Sequence, residues 1–141
     1  MKKNLQKLTG LLLTLVMVLT LAACAPVQGE PVADGVAQNG ATVGEGAKTF
    51  TVEVTDADGK TVKFTVKTDE DTVGAALLAL GIIAGDDSQY GLYVKTVNGI
   101  TADYDKDQTW WGFYVDGAPA AAGVDSTEIT EGSTYGFKVE K

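Results

Sequence analysis

Aromatic side chains concentrate in one short stretch of this chain, Trp110 to Gly117, which reads WWGFYVDG and holds both tryptophans. Rings of this kind can stack on a flat apolar ligand. If the stretch is a strand, its side chains alternate between two faces. One face would then carry Trp111, Phe113 and Val115, as a buried core face does. The other would carry Trp110 and Tyr114, either as a second packed layer or as an open stacking platform.

A second candidate for chemistry is Cys24, the one cysteine of the chain. It follows the small residues Ala22 and Ala23, behind a basic amino terminus and an apolar run, Leu11 to Leu21. The run is short for a membrane span and predicts a signal peptide over residues 1–23. The cysteine context resembles a bacterial lipobox, which implies that Cys24 is lipidated. The alternative is an ordinary secretory signal with a chance cysteine.

The lipobox resemblance predicts a location for the protein. We expect a lipoprotein that is anchored through Cys24 in membrane lipid, on the extracellular face of a bacterial cell membrane. Loss of three lysines with the signal peptide would leave eight lysines against 19 acidic residues, a net charge of −11. Nucleic-acid binding needs clustered basic residues, so the composition argues against a nucleic-acid partner.

Three acidic residues precede the aromatic stretch at alternate positions: Asp103, Asp105 and Asp107. This spacing begins like an EF-hand calcium loop. Gln108 stands where the loop needs its turn glycine, and Tyr114 stands where it needs a bidentate glutamate. We therefore predict a solvated loop without a metal, and a calcium site of another kind stays open as an alternative.

Catalytic motifs are missing from the sequence. The chain has no histidine, so neither a nucleophile–histidine pair nor a zinc site with histidine ligands can form. It also lacks a Gly-x-Ser-x-Gly elbow and a glycine-rich phosphate loop. The sequence therefore predicts a protein that is not an enzyme and carries no cofactor.

The predicted strands and helix begin after a linker. Residues 25–47 are rich in glycine, contain two prolines and have no aromatic residue, a composition typical of a flexible linker. We predict that residues 24–47 comprise the lipidated cysteine and this linker, and that residues 48–141 form one folded domain. Alternating runs on both sides of Asp58-Gly59 predict a hairpin, with Phe50 to Val54 on one strand and Val62 to Val66 on the other.

A helix is predicted next, opened by Asp71 or Thr72 as its cap and ended by Gly81 or Gly85. Its apolar stripe comprises Val73, Ala76, Leu77, Leu80 and, as an extension, Ile83. Further strands are predicted at Leu92 to Val97, before the Asn98-Gly99 turn, at Trp110 to Val115, and at Thr134 to Glu140. Residues 100–104 are expected to be irregular, and residues 120–127 to be a loop or a short edge strand.

This order predicts an α+β fold that is β-grasp-like, with one helix packed on a mixed sheet of four to six strands. Three segments also carry a family resemblance: the aromatic stretch, Gly123 to Thr127 and Glu131 to Phe137. Together they resemble the transcobalamin-like C-terminal domain, a domain of unknown function on bacterial surface lipoproteins. The resemblance covers about residues 50–140 and implies a β-grasp-like fold. In the namesake relatives this domain forms a lid over cobalamin.

Two functional hypotheses follow. In the first, the domain is a ligand-binding module for cobalamin, another corrinoid or another flat hydrophobic small molecule, with transporter delivery as one role. Its candidate binding residues are Trp110, Trp111 and Tyr114 for stacking, with Asp116 at the start of an orienting loop. In the second, strand edges or the same aromatic residues dock a protein partner in a cell-surface complex.

Overall fold

The structure is a computed structural model that describes residue 32 and residues 35–141. The predictions of a signal peptide and of lipidation at Cys24 lie outside these residues. The strands are β1 (Thr42–Gly44), β2 (Lys48–Thr55), β3 (Thr61–Thr68), β4 (Ile83–Ser88), β5 (Gly91–Val97), β6 (Ile100–Thr101), β7 (Trp110–Val115), β8 (Ala118–Pro119) and β9 (Thr134–Glu140). The helices are α1 (Val73–Ala79), α2 (Tyr104–Asp107) and a 3-10 turn at Val124–Ser126.

Two sheets organise these elements. The main sheet has six strands in the order β1-β3-β2-β9-β7-β8, and β4, β5 and β6 form a second, smaller sheet. The main sheet is mixed, because β1 runs parallel to β3 and β2 runs parallel to β9, whereas its other pairs are antiparallel. The predicted α+β, β-grasp-like fold with one main helix and a mixed sheet is therefore confirmed. The separate three-stranded sheet was not predicted.

The hairpin of β2 and β3 follows its sequence pattern. Apolar residues at every second position are buried: Phe50, Val52, Val54, Phe64 and Val66. The Asp56 carboxylate closes the turn, since it accepts hydrogen bonds from the backbone N–H of Asp58 and of Lys60, both at 2.9 Å. The alternation thus places one face of the hairpin in the core and leaves the other face to polar side chains.

Helix α1 covers the inner face of the main sheet. The Thr72 hydroxyl caps it by accepting the N–H of Ala75 at 3.2 Å. Val73, Ala76 and Leu77 are buried in the core. The extension of the helical stripe to Ile83 was wrong, because the chain turns at Gly81 with φ 72° and Ile83 begins β4. Ile83 is buried, but as a strand residue of the second sheet.

The predicted flexible linker was wrong for residues 35–47. Strand β1 pairs with β3, and Val43 is only 2% exposed. Ala37 is also buried, and its backbone exchanges two hydrogen bonds with the side chain of Asn98, at 2.6 and 3.1 Å. The glycines that suggested flexibility serve close packing instead, since a Cβ on Gly35 would lie 2.1 Å from the carbonyl oxygen of Gly81. The folded domain therefore includes residues 35–47 as an amino-terminal strap.

Two segments with weak sequence patterns, one predicted to be irregular and the other to be a loop or a short edge strand, have local structure. Residues 100–104 contain β6 and the first residue of α2, and residues 120–127 contain the 3-10 turn. Asn98 and Gly99 both have positive φ, 50° and 80°, as expected for the turn that the pair predicts between β5 and β6. Residues 100–104 lead from the second sheet toward β7, and residues 120–127 lead from β8 toward β9.

Candidate functional site

Strand β7 presents different residues to its two faces, as the alternation predicts. Trp111, Phe113 and Val115 pack against the core cluster while remaining half-buried. By the register of β7 on β9, Trp110 and Tyr114 alternate to the other face, but Trp110, the first residue of the strand, also reaches the groove between β5 and β7, together with Trp111 and Phe113. The inner-face residues are incompletely covered because the second sheet meets β7 only in part.

An apolar groove lies between β5 and β7, and we call it the aromatic groove. Its volume is about 450 Å³. Both sheets and two connecting segments contribute to its wall: Leu92, Tyr93, Val94, Tyr104, Trp110, Trp111, Phe113, Gly123, Val124 and Phe137. None of these side chains carries a carboxylate, amine, thiol or imidazole. A volume of this size and an apolar lining are typical of small-molecule sites.

Trp111 braces this groove as well as lining it. Its indole N–H donates a hydrogen bond of 3.0 Å to the backbone carbonyl of Lys95 on β5. The bond ties the second sheet to the main sheet at one end of the groove. The half-buried ring is thereby held in one orientation, which lowers the entropy cost of binding a ligand against it.

Three further aromatic rings form the rim. Tyr104 is 56% exposed and Tyr93 is 41% exposed, whereas Trp110 is half-buried. The rings of Tyr104 and Trp110 lie 6.3 Å apart at an interplanar angle of 54°. Sequence reasoning missed both tyrosines. Tyr93 alternates with Leu92 and Val94 in the predicted strand, and Tyr104 lies in a segment that was expected to be irregular, so neither position carried a sequence signal for the groove.

Tyr114 lies outside the aromatic groove, on the outer face of the main sheet. Its ring leans back over Gly112, where an added Cβ would lie 3.1 Å from the ring. Its hydroxyl donates a hydrogen bond to Glu140. This hydrogen bond, burial and the negative charge of Glu140 raise the pKa of Tyr114 above its ordinary value. The structure therefore separates Tyr114 from Trp110 and Trp111.

Asp116 is also absent from the groove lining, and it stabilises a turn. It has φ 50°, next to Gly117 with φ 87°, in the tight turn between β7 and β8. Its carboxylate accepts hydrogen bonds from the Thr134 N–H at 2.8 Å and from the Ser133 hydroxyl at 3.2 Å. These bonds hold the turn against the start of β9.

The three acidic residues before β7 are occupied by local hydrogen bonds. Asp103 caps α2 and accepts the N–H of Asp105 at 3.0 Å. Asp107 accepts the hydroxyl of Thr109 and its N–H, the latter at 3.1 Å, and this bonding lowers the pKa of Asp107. Over residue 32 and residues 35–141, no three acidic, histidine or cysteine side chains converge as a metal site would require.

The fold and the groove define a class: a small α+β domain of β-grasp type with an aromatic, apolar groove between two sheets. The chain belongs to the family described as Domain of unknown function (DUF4430), whose model matches residues 70–141. No curated protein matches the chain. Among the described residues, no helix is both long enough and apolar enough to cross a membrane.

Two solved structures share this fold. A proposed metal-binding protein from Ruminococcus gnavus ATCC 29149 is 28% identical with a TM-score of 0.64, and the match covers 67% of this chain and 98% of that one. Haptocorrin in complex with Cbi is 17% identical with a TM-score of 0.50, over 67% of this chain and 25% of haptocorrin. The haptocorrin likeness concerns the fold alone. Together with the family match, these likenesses confirm the resemblance to transcobalamin-like domains.

Proposed function

We propose that the protein is a small-molecule-binding domain and that a flat, largely apolar ligand occupies the aromatic groove. The observation that carries the proposal is the groove itself, about 450 Å³ of space lined by aromatic and aliphatic side chains from two sheets. Aromatic faces stack on flat ligands, and an apolar lining favours removal of such ligands from water. The role is binding rather than catalysis, because the lining offers no nucleophile with a neighbouring base.

A corrinoid is the ligand that we propose to test first. Support comes from haptocorrin, which shares the fold and was solved with Cbi. This chain matches only a quarter of haptocorrin, so a ligand on the open groove would be contacted from one side. We therefore expect weaker binding than in an enclosed site, in the micromolar range.

We further propose that the domain works at a membrane surface. The lipobox-like context of Cys24 supports lipidation there, with the domain on the extracellular face of the cell membrane. The strap places the beginning of the folded domain at residue 35 or earlier, so at most about ten residues separate it from Cys24. A ligand bound in the groove would be held near the membrane, where a transporter could receive it. Labelling with a radioactive fatty acid, and its loss in Cys24→Ser, tests the anchor.

The binding test is a titration of the purified protein with cobalamin, followed by tryptophan fluorescence. Both tryptophans line the groove, so a stacked corrin should quench them saturably. The corrin absorbs light, and calorimetry provides an independent measure of binding. Trp110→Ala removes one ring from the rim of the groove and leaves the hydrogen bond of Trp111 to Lys95 in place. This variant should bind cobalamin at least about tenfold more weakly. Tyr114→Phe is the matched control, because Tyr114 lies outside the groove. Unchanged binding in Trp110→Ala would reject this site.

A second candidate function is protein docking at the edge of β7. The carbonyl of Phe113 accepts the N–H of Ala120 at 3.0 Å, on the side away from β9. By strand alternation the backbone of Trp111 points to the same side, where β8 does not reach. An extended segment of a surface protein could pair there. The test is to cross-link the protein to its surface partner and to measure hydrogen exchange of the Trp111 amide. Slower exchange than in the free protein would favour this function, and an unchanged rate would reject it.

A further inference from the structure

A second candidate site lies on the outer face of the main sheet, at Gly136. The register places Gly136 of β9 between Tyr114 of β7 and Glu53 of β2. Neighbouring strands are spaced by about 4.8 Å, so the two flanking side chains start about 9.6 Å apart. Because glycine has no side chain, the row has a gap at its centre.

The backbone does not require glycine at this position. Gly136 has no positive φ, and an added Cβ would meet nothing closer than the Tyr114 Cβ at 3.5 Å, an ordinary contact. Gly85 differs, since a Cβ there would lie 1.9 Å from the carbonyl oxygen of Tyr93. A glycine inside a strand weakens it, and often marks a place where a ligand approaches the backbone closely. The glycine at 136 is therefore explained by the space that it leaves.

The gap is a pocket of about 220 Å³. It is lined by Glu53, Thr55, Tyr114, Gly117, Thr134, Gly136, Phe137 and Lys138. The hydrogen bond from the Tyr114 hydroxyl to Glu140 holds the aromatic wall in place. The other lining residues include one carboxylate, one ammonium group and two hydroxyls, of which the Thr55 hydroxyl is also hydrogen-bonded to that of Thr61 at 3.1 Å.

The chemistry of these walls selects the ligand. A carboxylate accepts hydrogen bonds, an ammonium group donates them and a hydroxyl does both, so a ring with several hydroxyl groups can be satisfied on all sides. A net charge on the ligand brings little gain, because Glu53 on one side and Lys138 and Lys63 on the other, Lys63 at 3.9 Å from Glu53, act on it in opposite directions. The negative face of an aromatic ring also attracts the weakly positive C–H groups of a sugar.

We propose that the pocket at Gly136 binds a single neutral sugar ring, such as an exposed sugar unit of a surface glycan. The site is independent of the aromatic groove, from which it is separated by the main sheet. The protein would thus carry a saccharide contact on one face and a small-molecule groove at the opposite face of the same sheet. Failure of either site leaves the other standing.

The test uses two probes, N-acetyl-D-glucosamine and methyl α-D-glucopyranoside, titrated into the purified protein and followed by two-dimensional nitrogen–proton NMR. The expected result is a saturable shift of the Gly136 amide in the millimolar range for at least one probe. Gly136→Ala and Gly136→Val fill the gap to increasing extents and should weaken binding at least about tenfold, with Val the stronger effect. Melting temperature checks folding, and Gly136→Ala should melt no lower than the wild type.

Two controls separate this site from the aromatic groove. Trp110→Ala should bind the sugar as the wild type does, and Gly136→Ala should quench with cobalamin as the wild type does. The proposal is overturned if neither probe shifts the Gly136 amide. It is equally overturned if a shift persists unchanged in a folded Gly136→Ala or Gly136→Val variant, because the sugar would then sit elsewhere.

Discussion

The two faces of the main sheet carry spaces of opposite origin. The aromatic groove forms where two sheets meet, and its bracing bond joins Trp111 to Lys95 of the other sheet. The outer pocket forms within one sheet, because the register sets Gly136 between two long side chains. The first space therefore depends on tertiary docking, and the second depends on strand pairing. Variants that loosen the second sheet should disturb the groove and spare the pocket.

The largest effect should come from removing the brace. Trp111→Ala deletes a large half-buried ring and its hydrogen bond, and should lower the free energy of unfolding by about 3 kcal/mol. Trp111→Phe keeps most of the ring and should cost about 1 kcal/mol for the lost bond. Urea unfolding measures both. If Trp110→Ala lowered the free energy of unfolding as much as Trp111→Ala, the proposed difference between Trp111, which joins the two sheets, and Trp110, which only lines the rim, would be wrong.

The next effect concerns the bond between the second sheet and the amino-terminal strap. The Asn98 side chain is buried and satisfies both backbone groups of Ala37. Asn98→Gly keeps the positive φ of this position but leaves those groups unpaired, and should cost about 2 kcal/mol. The amide of Ala37 should also exchange its hydrogen faster. Exchange at the wild-type rate would show that the strap is held by other contacts.

Substitution by alanine at two glycines of the outer face should change the free energy of unfolding in opposite directions, or at one of them not at all. Gly136→Ala fits without a clash and should raise the free energy of unfolding by about 0.5–1 kcal/mol. Gly112→Ala should lower it or leave it unchanged, because its Cβ would lie 2.8 Å from the Glu140 carboxylate and displace it from Tyr114. Urea midpoints of the two variants test the pair. Destabilisation by Gly136→Ala would refute the claim that this glycine is kept for space.

The smallest effect is a dependence on alkaline pH. The pKa of Tyr114 is raised from 10.0 in the folded protein, since its hydroxyl donates to Glu140. A raised pKa gives stability that is complete below the unfolded value and is lost as the pH rises through the folded value. The stability difference between wild type and Tyr114→Phe should thus be constant at neutral pH and shrink above pH 10. If the stability difference between wild type and Tyr114→Phe stayed constant above pH 10, the hydrogen bond from Tyr114 to Glu140 would be excluded as its source.

Part of the site could be read from residue order. The alternation in WWGFYV separated Tyr114 from Trp111 and Phe113, as in the structure, but it also grouped Trp110 with Tyr114, whereas Trp110 lines the groove beside Trp111. The same alternation could not show that Tyr93 and Tyr104 reach the rim, because both belong to segments whose position relative to β7 is set by packing. It also could not show that Tyr114 folds back over Gly112 rather than standing as a platform.

The sequence by itself determined the elements with strong local periods: the β2–β3 hairpin, helix α1, and strands β7 and β9. These patterns encode which face is apolar, and burial of that face stabilises the element wherever it docks. Tertiary structure alone decided the second sheet, the strap and the groove. The bonds that define them join residues 16 positions apart, Trp111 and Lys95, or 61 positions apart, Ala37 and Asn98. No local period records such a contact, because it depends on how separately formed elements meet.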